Sequence, residues 1–599
     1  MGKRVGGQGA VPCDVMLIGE APGEMESRMG LPFVGKSGDE LTHLYLPIAQ
    51  LSRHSVYITN VYKYRPPNNR DPNDAEIAEG LPELMSEIAQ CHPSYIVALG
   101  NIAARVFGMN VPMYWGHGIP FVWNGITIIP CYHPAAGLHD NTTMTEIMQD
   151  FQAVNRVIHQ RWRPSYPEYK KTYVYLPTDN LINAWFHVMP DVIGVDTETI
   201  GLDGDPYSIQ IATAPGEACL IPLMGSTPSP VDKLRDIASS GCLWVFHNAK
   251  YDLKACRKVG IEPVNWTCTM QMAYLLQDEP LSLKALAYRH LGVKMRTYKE
   301  VIGTAGVIGM LEYLQRVVDA DFPRPEPRNE LARKDGYSQW KTVKPTSISS
   351  RCKALIKSCE KDNTVDLVER WSQWDDRQIA EAKLGKFPEP TVADIPISDL
   401  VSYACADADA TRQVYFHLRD RIAGLHLDDT LAVDLDCIPM VVDMETTGTK
   451  INRAHYMAFG ADVATKAEEL FAKLQDMALF VGYIKQPGQV YNPNSNVDCA
   501  ELCKHLHIRP KSTEAKYLEP FAKKHPILAT HLEYKRLMKL KSTYIDNLLE
   551  MADLDDRIHT SFSVTRTGTG RLASSNPNLQ NIPTRTKDGE NIRRGFIAG

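Results

Sequence analysis

The feature that most constrains the fold is an alternation of short β-rich runs with longer helical stretches in the first 160 residues. The pattern predicts strands at residues 15–19, 55–60, 95–100 and 126–132, and helices at residues 39–52, 74–91 and 100–108. Strands that alternate with helices form a parallel sheet covered by helices on both faces. The first domain is therefore predicted to be an α/β/α fold around a parallel sheet.

The composition is that of a soluble chain with several domains. A length of 599 residues favours about four domains, and 44% hydrophobic with 23% charged residues excludes a disordered or fibrous chain. The longest apolar runs are too short to span a bilayer, and no apolar segment follows the basic residues at the N-terminus. We therefore expect a cytoplasmic protein without a membrane partner. The net charge of -6 means that a nucleic-acid partner would need local basic patches.

Changes of pattern along the chain predict the domain boundaries. A segment with prolines and basic residues, 161–172, has the character of a linker. A second β-rich block followed by helices begins at residue 173, helical periodicity dominates residues 426–555, and residues 560–599 are β-like and rich in Asn, Thr and Gly. The predicted domains are 1–160, 173–425 with an insertion at about 300–395, and 426–599.

Two carboxylates, Asp196 and Glu198, stand two residues apart at the end of a predicted strand, in the segment VDTETIGLDG. Alternate residues of a strand share a face, so both side chains can reach the same point. For an isolated pair, a solvated strand end is the better interpretation, because such pairs are frequent in a chain rich in acidic residues.

Two further motifs follow in order. HNAKYDLKAC supplies Asn248, a candidate DNA contact, and Asp252 at a predicted helix start, while YACADADAT supplies Tyr403 and Asp407 one helical turn apart. Four carboxylates and a tyrosine are the groups that a two-metal phosphodiesterase uses, since hard oxygen ligands hold Mg²⁺ or Mn²⁺.

In this order the three motifs resemble Exo I, Exo II and Exo III of the DnaQ-like 3′–5′ proofreading exonucleases, in the version attached to family A DNA polymerases. The resemblance implies an RNase H-like fold with two Mg²⁺ or Mn²⁺ ions. It implies that Asp196, Glu198 and Asp407 bind the first ion, with Asp196 bridging to the second. Asp252 would hold the second ion through water, and Tyr403 would orient the attacking water.

The C-terminal third contains a basic helical stretch, KRLMKLKSTYIDNL, and a segment rich in Gly and Asn, VTRTGTGRLASSNPNLQNIP. Basic side chains suit sequence-independent contacts with phosphates, and glycines allow the backbone to approach a duplex closely. A solvated helix face explains the basic stretch alone equally well.

Together the two segments resemble the thumb and the first palm segment of DNA polymerase I, a family A polymerase. The DNA contacts expected from these segments are Lys539, Lys541, Arg566, Arg571, Asn578, Gln580 and Asn581. The chain stops at Gly599, before the position of the family's first catalytic aspartate. We therefore expect polymerase activity only with the missing C-terminal part, which a separate polypeptide partner could supply.

Near the N-terminus, a glycine-rich turn, GEAPGEMESRMGLPFVGKSG, follows a predicted strand, which by itself is a weak sign of a ligand loop. The segments ITNVYKYRPPNNRDP, PSYIVALG and CYHPAAGLH follow it in order. Together the four segments resemble the uracil-DNA glycosylase superfamily, closest to family 4, over about residues 14–155. Such enzymes flip a base out of the stack and need an aromatic platform, an amide and a group that stabilises the departing anion.

The resemblance implies that Phe33 stacks on the base and that Asn60 reads its N3 and O4 edge. Glu20 would position or activate water, His133 would donate to O2 as negative charge develops there, and Leu138 would wedge into the duplex. Each of these residues alone has a simpler interpretation: Phe33 as core, His133 as a turn residue and Glu20 as a helix cap.

Two more expectations concern this domain. Arg65 and Arg70 are predicted phosphate contacts. Family 4 enzymes carry four cysteines for an iron–sulfur cluster, beginning with a Cys-x-x-Cys upstream of the glycine-rich loop, whereas Cys13 is the only cysteine in that position here. No cluster is expected, and the 13 cysteines are interpreted as free thiols in a reducing compartment.

The sequence thus predicts a replication or repair protein of phage type, acting in a bacterial cytoplasm on single-stranded 3′ ends and primer-template DNA. Its first activity would be Mg²⁺-dependent 3′–5′ hydrolysis, with uracil excision second. The alternative is a non-catalytic DNA-binding half of a split polymerase, in which the glycosylase-like domain serves as a base sensor or tether.

Overall fold

The computed structural model describes most of the 599 residues, in two compact units, Met1–Leu435 and Asp436–Gly599. The described residues are 3–138, 141–201, 204–224, 229–320, 328–334, 337–343, 352–353, 355–357, 384, 390–484 and 490–598. About half of the insertion predicted at about 300–395 lies outside these ranges. Its bounds, like the other domain boundaries, stay predictions.

The first sheet has five strands in the order β2-β1-β3-β5-β4. The strands are β1 Val15–Gly19, β2 Tyr57–Asn60, β3 Tyr95–Leu99, β4 Phe121–Trp123 and β5 Ile126–Cys131. Strand β1 pairs in parallel with β2 and β3, β3 pairs in parallel with β5, and β4 is antiparallel to β5. The predicted parallel sheet is confirmed, and the four predicted strands agree with the observed ones to within two residues.

Both faces of this sheet are buried, which explains why β1 is apolar at successive positions. Met16 and Ile18 enter one core cluster, whereas Val15 and Leu17 enter the other. The helices of the domain are Glu24–Met29, Lys36–Glu40, Leu46–Ile48, Asp74–Cys91, Asn101–Val106, Met113–Gly116, Pro134–Gly137 and Asn141–His159, with a π-helical turn at Leu41–Tyr45 and a 3₁₀ turn at Pro67–Asn69.

The second sheet has six strands in the order β11-β10-β7-β8-β9-β6. They are β6 Thr172–Tyr175, β7 Val192–Thr199, β8 Pro206–Ala214, β9 Glu217–Pro222, β10 Leu243–Phe246 and β11 Trp266–Cys268. Strands β7, β8 and β9 pair antiparallel, whereas β10 is parallel to both β7 and β11. The mixed sheet agrees with the predicted α/β exonuclease domain.

The helices around this sheet bring distant segments together. They are Asp179–Trp185, Ser229–Ser239, Ala249–Lys258, Thr269–Leu276, Leu283–Leu291, Tyr298–Asp319 and Ile397–Gly424, with a 3₁₀ turn at Val392–Asp394. A strand pair, Arg328–Lys334 and Tyr337–Val343, lies within the range of the predicted insertion. Helix Ile397–Gly424 packs closely on β7 at Gly194, where a Cβ atom would lie 2.2 Å from the carbonyl oxygen of Ala408.

The second unit is mainly helical, as predicted. After helix Asp428–Thr447, which contains the division between the units, it has helices Arg453–Phe480, Asn496–His505, Ala515–Ala522, Pro526–Lys539, Asn547–Met551 and Lys587–Arg594, and a π-helical segment Leu540–Asp546. Its short strands are Thr449–Lys450, Arg557–Ile558, Ser561–Ser563 and Ala573–Ser575.

The expectation that residues 560–599 are β-like is wrong for the last part of the chain. Helix Lys587–Arg594 forms there because the Thr586 hydroxyl accepts a hydrogen bond from the Gly589 amide and Ile592 is buried. Within the described residues, no helix combines the length and apolar character that crossing a membrane requires.

Candidate functional site

A cavity of about 270 Å³ lies at the carboxyl ends of the first parallel sheet. Glu20 follows β1, Asn60 ends β2 and His133 follows β5. The carboxyl ends of neighbouring parallel strands meet at one edge, which is where α/β proteins commonly bind ligands. Together with Phe33, these residues line the cavity, so four of the five residues predicted to carry base excision come together.

The base-stacking candidate Phe33 is buried in a left-handed backbone conformation with φ of 51°. Such a φ is uncommon for a residue with a side chain and needs support from its surroundings. Arg53 gives that support, because its Nη1 donates to the carbonyl oxygen of Phe33 at 3.0 Å. Glu26 accepts from the amides of Val34 and Gly35, at 3.1 and 2.9 Å.

Close packing at Gly19 fixes the distance between the two groups that would hold the base. A Cβ atom at Gly19 would lie 2.5 Å from Oδ1 of Asn60 and 2.7 Å from Cζ of Phe33. Only a glycine fits between these two side chains without a shift of one of them. The ring of Phe33 is stacked against that of His133, with centroids 5.5 Å apart.

The hydrogen bonds of His133 define its tautomer. The Ala135 amide donates to Nδ1 at 3.1 Å, so the ring proton of a neutral imidazole lies on Nε2. Burial lowers the pKa of His133 to about 4, an effect that the nearby carboxylate of Glu26 opposes. At neutral pH the residue is therefore an uncharged donor through Nε2.

The position of Glu20 is compatible with both of its expected roles, the positioning of water and the capping of a helix. Its Oε1 accepts a hydrogen bond of 2.9 Å from the Ile102 amide, at the N-terminus of helix Asn101–Val106. Gly100, with φ of 100°, lies against the carboxylate so closely that a Cβ there would be 2.4 Å from Oε1. Burial raises the pKa of Glu20, and the amide hydrogen bond opposes that rise. Glu20 thus caps a helix and lines the cavity at once.

A buried ion pair behind the cavity was not found from the sequence. The Nζ of Lys63 lies 2.6 Å from Oε2 of Glu87 and also donates to the carbonyl oxygen of Asn60 and to Oγ1 of Thr59, both at 2.7 Å. These bonds fix the backbone at the end of β2, where Asn60 stands. A single lysine in VYKYRPP carries no signal of this role, because its partner lies 24 residues away.

The other predicted residues of this domain lie outside the cavity or at its rim. Leu138 follows helix Pro134–Gly137, is partly buried and does not belong to the cavity lining. Arg65 pairs with Glu24, and Arg70 forms two hydrogen bonds with Glu76. Both arginines would have to exchange these partners to contact phosphate.

Cys13 and Cys91 lie against each other in the core of this domain. The Cys13 amide donates to the carbonyl oxygen of Cys91 at 2.9 Å, and burial raises the pKa of both thiols, that of Cys91 to about 12. Both are free thiols. The expected absence of an iron–sulfur cluster stays a prediction.

The second candidate site is a cluster of the four predicted carboxylates in the exonuclease domain. Asp196 and Glu198 lie on one face of β7, Asp252 lies in helix Ala249–Lys258, and Asp407 lies in helix Ile397–Gly424. Oγ1 of Thr197 donates to Asp252 at 2.8 Å. The structure thus brings together four side chains that are separated by up to 211 residues in the sequence (196 to 407).

Burial and mutual repulsion raise the pKa values of these carboxyl groups. For Asp196 burial is the main cause, followed by the charges of Asp252, Asp407 and Glu198. The pKa of Glu198 rises to about 8 and that of Asp252 to about 7, again mainly through burial. Nearby positive charge would therefore favour the ionised form of these carboxyl groups.

Lys284 is a member of this site that sequence reasoning missed. Its Nζ lies 3.2 and 3.4 Å from the two carboxylate oxygens of Asp407 and 5.1 Å from the ring centre of Tyr403. It lowers the pKa values of Asp196, Glu198 and Asp407 against the effect of burial. Tyr403 is buried beside the cluster, and burial raises its pKa. Asn248 is exposed at the start of the Asp252 helix, with φ of 70°.

The chemistry of this donor set fits divalent cations. Three buried carboxylates and the half-buried Asp196 lie around one lysine, and hard oxygen ligands of this kind bind Mg²⁺ or Mn²⁺. Among the described residues, no three His, Cys, Asp or Glu side chains form a ready-made metal cage. In this arrangement Lys284 engages Asp407 and Thr197 engages Asp252, so a bound cation would compete with these partners.

In the second unit, the predicted DNA contacts fall into two groups. Lys539 is exposed on helix Pro526–Lys539, next to a cavity of about 740 Å³, and Lys541 pairs with Asp546 at 2.7 Å. Arg566, Asn578 and Gln580 line a second cavity of about 610 Å³. The two groups provide separate positively charged and amide-rich surfaces.

Two of the amide side chains are already used within the protein. Gln580 accepts from the Ser574 amide at 3.0 Å and donates to the carbonyl oxygen of Leu572 at 2.9 Å. Oδ1 of Asn578 accepts from the amides of Gln580 and Asn581, at 3.0 and 3.1 Å. Arg571 is exposed, and its carbonyl oxygen accepts from the Thr567 hydroxyl at 2.7 Å. These contacts shape the loop rather than leave every amide free for DNA.

Three known protein families match separate parts of the chain. The uracil DNA glycosylase superfamily matches residues 7–155, the 3′-5′ exonuclease family residues 175–306, and DNA polymerase family A residues 460–599. Tyr403 and Asp407 lie beyond the exonuclease match, so their place in the carboxylate site comes from the structure. Exonuclease domains of this family typically use divalent metal ions.

Two relatives illustrate how much of each family the chain contains. It is 37% identical over 166 residues to the type-4 uracil-DNA glycosylase of Saccharolobus solfataricus, covering 26% of this chain and 77% of that protein. It is 34% identical over 223 residues to the DNA polymerase I of Chloroflexus aurantiacus, covering 34% of this chain but 23% of that protein. The chain thus spans less than a quarter of this polymerase.

A solved structure, the POL domain of Pol1 from M. smegmatis in complex with DNA primer-template and dNTP, has a TM-score of 0.45 and 20% sequence identity. The match covers 71% of this chain and 59% of that chain. A TM-score at this level carries no argument about a shared fold.

The sheet-edge pocket and the carboxylate cluster lie in parts of the chain that match two different families of DNA-processing proteins. The chain belongs to the uracil-DNA glycosylase superfamily through its N-terminal domain, which is followed by a 3′–5′ exonuclease domain and a DNA polymerase family A domain. Another part of the chain is similar to DNA polymerase I.

Proposed function

We propose that the first unit contains two separate DNA-processing sites, a metal-dependent 3′–5′ exonuclease and a metal-independent uracil-DNA glycosylase. The observation that supports this pairing is the contrast in charge between the two sites. Four carboxylates, three of them buried, lie around one lysine in the first site, whereas a neutral histidine, an amide and an aromatic ring line the second.

In the exonuclease site, Asp196, Glu198 and Asp407 would hold one Mg²⁺ or Mn²⁺ ion, and Asp196 and Asp252 a second. Bound divalent cations stabilise the charge that develops when a phosphodiester is hydrolysed. Tyr403 would orient the attacking water. Lys284 holds Asp407 in place until the cation binds, and its positive charge keeps the site partly neutralised.

The exonuclease proposal is tested with a 5′-labelled single strand and purified full chain. We expect a ladder that shortens from the 3′ end in Mg²⁺ or Mn²⁺ and no products in EDTA. Digestion of the same strand that proceeds equally in EDTA would contradict the proposed metal dependence.

In the glycosylase site, Phe33 would stack on a flipped uracil and the Asn60 amide would hydrogen-bond its N3 and O4 edge. His133 would donate from Nε2 to O2 as negative charge develops on the departing base, which is the state that this neutral tautomer stabilises. The Glu20 carboxylate would position the water that attacks the sugar. Leu138, Arg65 and Arg70 would contact the surrounding DNA.

The second unit would bind DNA. Its proposed contacts with a primer-template are Lys539, Lys541, Arg566, Arg571, Asn578, Gln580 and Asn581, with Asn248 of the exonuclease domain on the single strand. We further propose that the protein is phage-encoded and acts in the cytoplasm of a bacterial host.

The alternative, a non-catalytic DNA-binding module that senses or tethers a base, makes a different prediction. A pure binding module has no nuclease activity to lose, so full chain and its Asp196→Ala variant would bind a single strand equally and neither would degrade it. Degradation by the wild-type chain alone would exclude this alternative.

A further inference from the structure

A single helix of the exonuclease domain, Leu283–Leu291, contacts both candidate sites of the first unit. Lys284, near its start, bonds to Asp407 in the carboxylate cluster. Arg289 stands five residues further on and therefore on another face of the helix. Its Nη2 donates to Nε2 of His117 in the glycosylase domain.

From His117 the hydrogen bonds continue towards the base pocket. Arginine has no acceptor, so Nε2 of His117 must accept, and the ring proton lies on Nδ1. That Nδ1–H donates to Oδ1 of Asp150 at 2.6 Å, and both side chains are buried. Oδ2 of Asp150 accepts from the Tyr132 amide at 2.8 Å. Tyr132 directly precedes His133, the proposed donor to the departing base.

The packing around this chain of hydrogen bonds leaves little freedom. The rings of His117 and Tyr132 lie 4.7 Å apart, and a Cβ at Gly118 would lie 3.2 Å from Oδ1 of Asp150. Ala285, from the same helix as Arg289, is fully buried in a core cluster of the glycosylase domain. The helix is thus part of the glycosylase core as well as of the exonuclease domain.

The contact of Arg289 with the glycosylase domain removes part of its guanidinium group from water, which costs free energy. Its Nε is buried and has no hydrogen-bond partner within the described part of the chain. Leaving a buried donor unpaired is unfavourable. The hydrogen bond from Nη2 to His117 offsets part of this cost. A cavity of about 100 Å³ beside His117, Asp150 and Arg289 offers room for a small guanidinium ion if the arginine side chain is removed.

We propose that Arg289 of the exonuclease domain is a positioning residue for base excision, acting through His117 and Asp150 on the backbone that carries His133. The glycosylase site is then complete only when the exonuclease helix is docked on it. This inference rests on the proposed uracil excision, and it makes the two activities of the first unit structurally dependent on one helix.

The test compares full-chain variants on a uracil-containing single strand in EDTA, where the exonuclease is silent. We expect Arg289→Ala to lower kcat for uracil release by about 10- to 100-fold, the usual effect of removing an outer positioning group, with KM changed little. Exonuclease activity in Mg²⁺ should be unchanged. Guanidinium ion, but not methylammonium at the same concentration, should restore part of the lost kcat.

A matched control separates positioning from simple docking of the domains. Lys294 donates to the carbonyl oxygen of Asn110 across the same contact but does not reach His117. Lys294→Ala should keep wild-type uracil release. Equal losses in Lys294→Ala and Arg289→Ala, without guanidinium rescue, would overturn the proposal, as would a wild-type rate in Arg289→Ala.

Hydrogen–deuterium exchange tests the same inference without relying on uracil excision. Because the Tyr132 amide is held by Asp150, exchange at this amide should become faster in Arg289→Ala than in wild type or Lys294→Ala. If wild type releases no uracil but this amide responds, the proposed activity fails and the positioning role stands. Unchanged exchange at Tyr132 in Arg289→Ala would reject the positioning role itself.

Discussion

In the two candidate sites of the first unit, burial shifts the pKa values of the key side chains in opposite directions. In the carboxylate cluster, burial and like charges raise the pKa values of Glu198 and Asp252 to about 8 and 7. In the glycosylase pocket, burial lowers the pKa of His133 to about 4 and keeps the ring neutral. The first site needs added positive charge to function, whereas the second already has the protonation state that its chemistry needs.

The comparison shows that the two sites of this chain are arranged for their ligands in two different ways. The pocket is fixed by packing and by internal hydrogen bonds, such as those at Gly19 and Nδ1 of His133. The cluster keeps several carboxyl groups close together, an arrangement that destabilises the fold until a cation binds. Substitutions should therefore affect activity and stability in the same direction in the pocket and in opposite directions in the cluster.

The largest expected effect is on the exonuclease. Asp196→Asn should reduce 3′–5′ hydrolysis by about a thousandfold or more, since metal ions contribute several kcal/mol to the transition state. In EDTA at pH 9, where the pH forces the carboxyl groups of the cluster to ionise, the same variant should unfold at a higher temperature, because one of the like charges is gone. Uracil release should not change.

Asp191→Asn is the matched control, since Asp191 is exposed just before the same strand. It should leave both activities and the unfolding temperature unchanged. A destabilised Asp196→Asn in EDTA would contradict the account of repulsion within the cluster.

In the pocket, His133→Ala should reduce uracil release by about 100- to 1,000-fold, the usual loss when a donor to a developing anion is removed. Exonuclease activity should stay at the wild-type level. Uracil release is measured under single-turnover conditions, with His54→Ala as the exposed control. A His133→Ala enzyme that retains most of its rate would exclude the proposed donor.

The buried pair behind the pocket should matter mainly for stability. Lys63→Met leaves Glu87 buried without its partner and should cost about 3 to 5 kcal/mol in free energy of unfolding, measured from the denaturant transition of the first unit. Asp232→Asn breaks an exposed ion pair with Arg235 and should cost at most about 1 kcal/mol. Similar losses in both variants would mean that burial of the Lys63 pair has no special importance.

A smaller effect is expected from Gly19→Ala. The added methyl group must push Asn60 or Phe33 away, which should cost about 1 to 3 kcal/mol and lower uracil release. Gly424→Ala, where an added Cβ meets no atom within 4 Å, is the control. Wild-type uracil release in Gly19→Ala would show that the distance between the two side chains is not critical.

The smallest effect is on the pH dependence of stability. The pKa of His133 is lower in the folded chain, about 4, than its ordinary value of 6.5. The unfolded chain therefore binds more protons between these values, and stability falls as the pH drops from 6.5 towards 4. Replacing His133 by Gln should reduce this slope by at most about 1.4 kcal/mol per pH unit; an unchanged slope would contradict the low pKa.

The regular elements with strong local signals could be predicted from the sequence. Helix Asp74–Cys91 has the predicted bounds because Asn73 and Glu76 form a capping box at its start and His92 ends it in a left-handed conformation. Strand β1 is apolar on both faces, which is typical of a buried parallel strand. Helix Lys587–Arg594 was missed because its polar, Gly-containing sequence depends on one buried side chain, Ile592, and on the cap at Thr586.

Some of the site residues could likewise be predicted from local sequence motifs, whereas others could not. Asp196 and Glu198 lie in the ordered exonuclease motifs, and Phe33 and His133 lie in the ordered glycosylase motifs. The proximity of the residues within each site could therefore be expected. Contacts between distant positions, such as Lys284 with Asp407 or Arg289 with His117, leave no local pattern because each partner is an ordinary charged or polar residue in its own segment. The unusual backbone of Phe33 likewise depends on Arg53, which only the fold brings close.

The most direct test of the central claim uses a 5′-labelled single strand with one internal uracil, incubated with the full chain and then treated with alkali. In EDTA we expect cleavage only at the uracil, lost in Asn60→Ala, and in Mg²⁺ additional shortening from the 3′ end, lost in Asp196→Asn. A strand that stays intact at the uracil in EDTA but is cleaved there in Mg²⁺ would contradict two sites with opposite needs for metal.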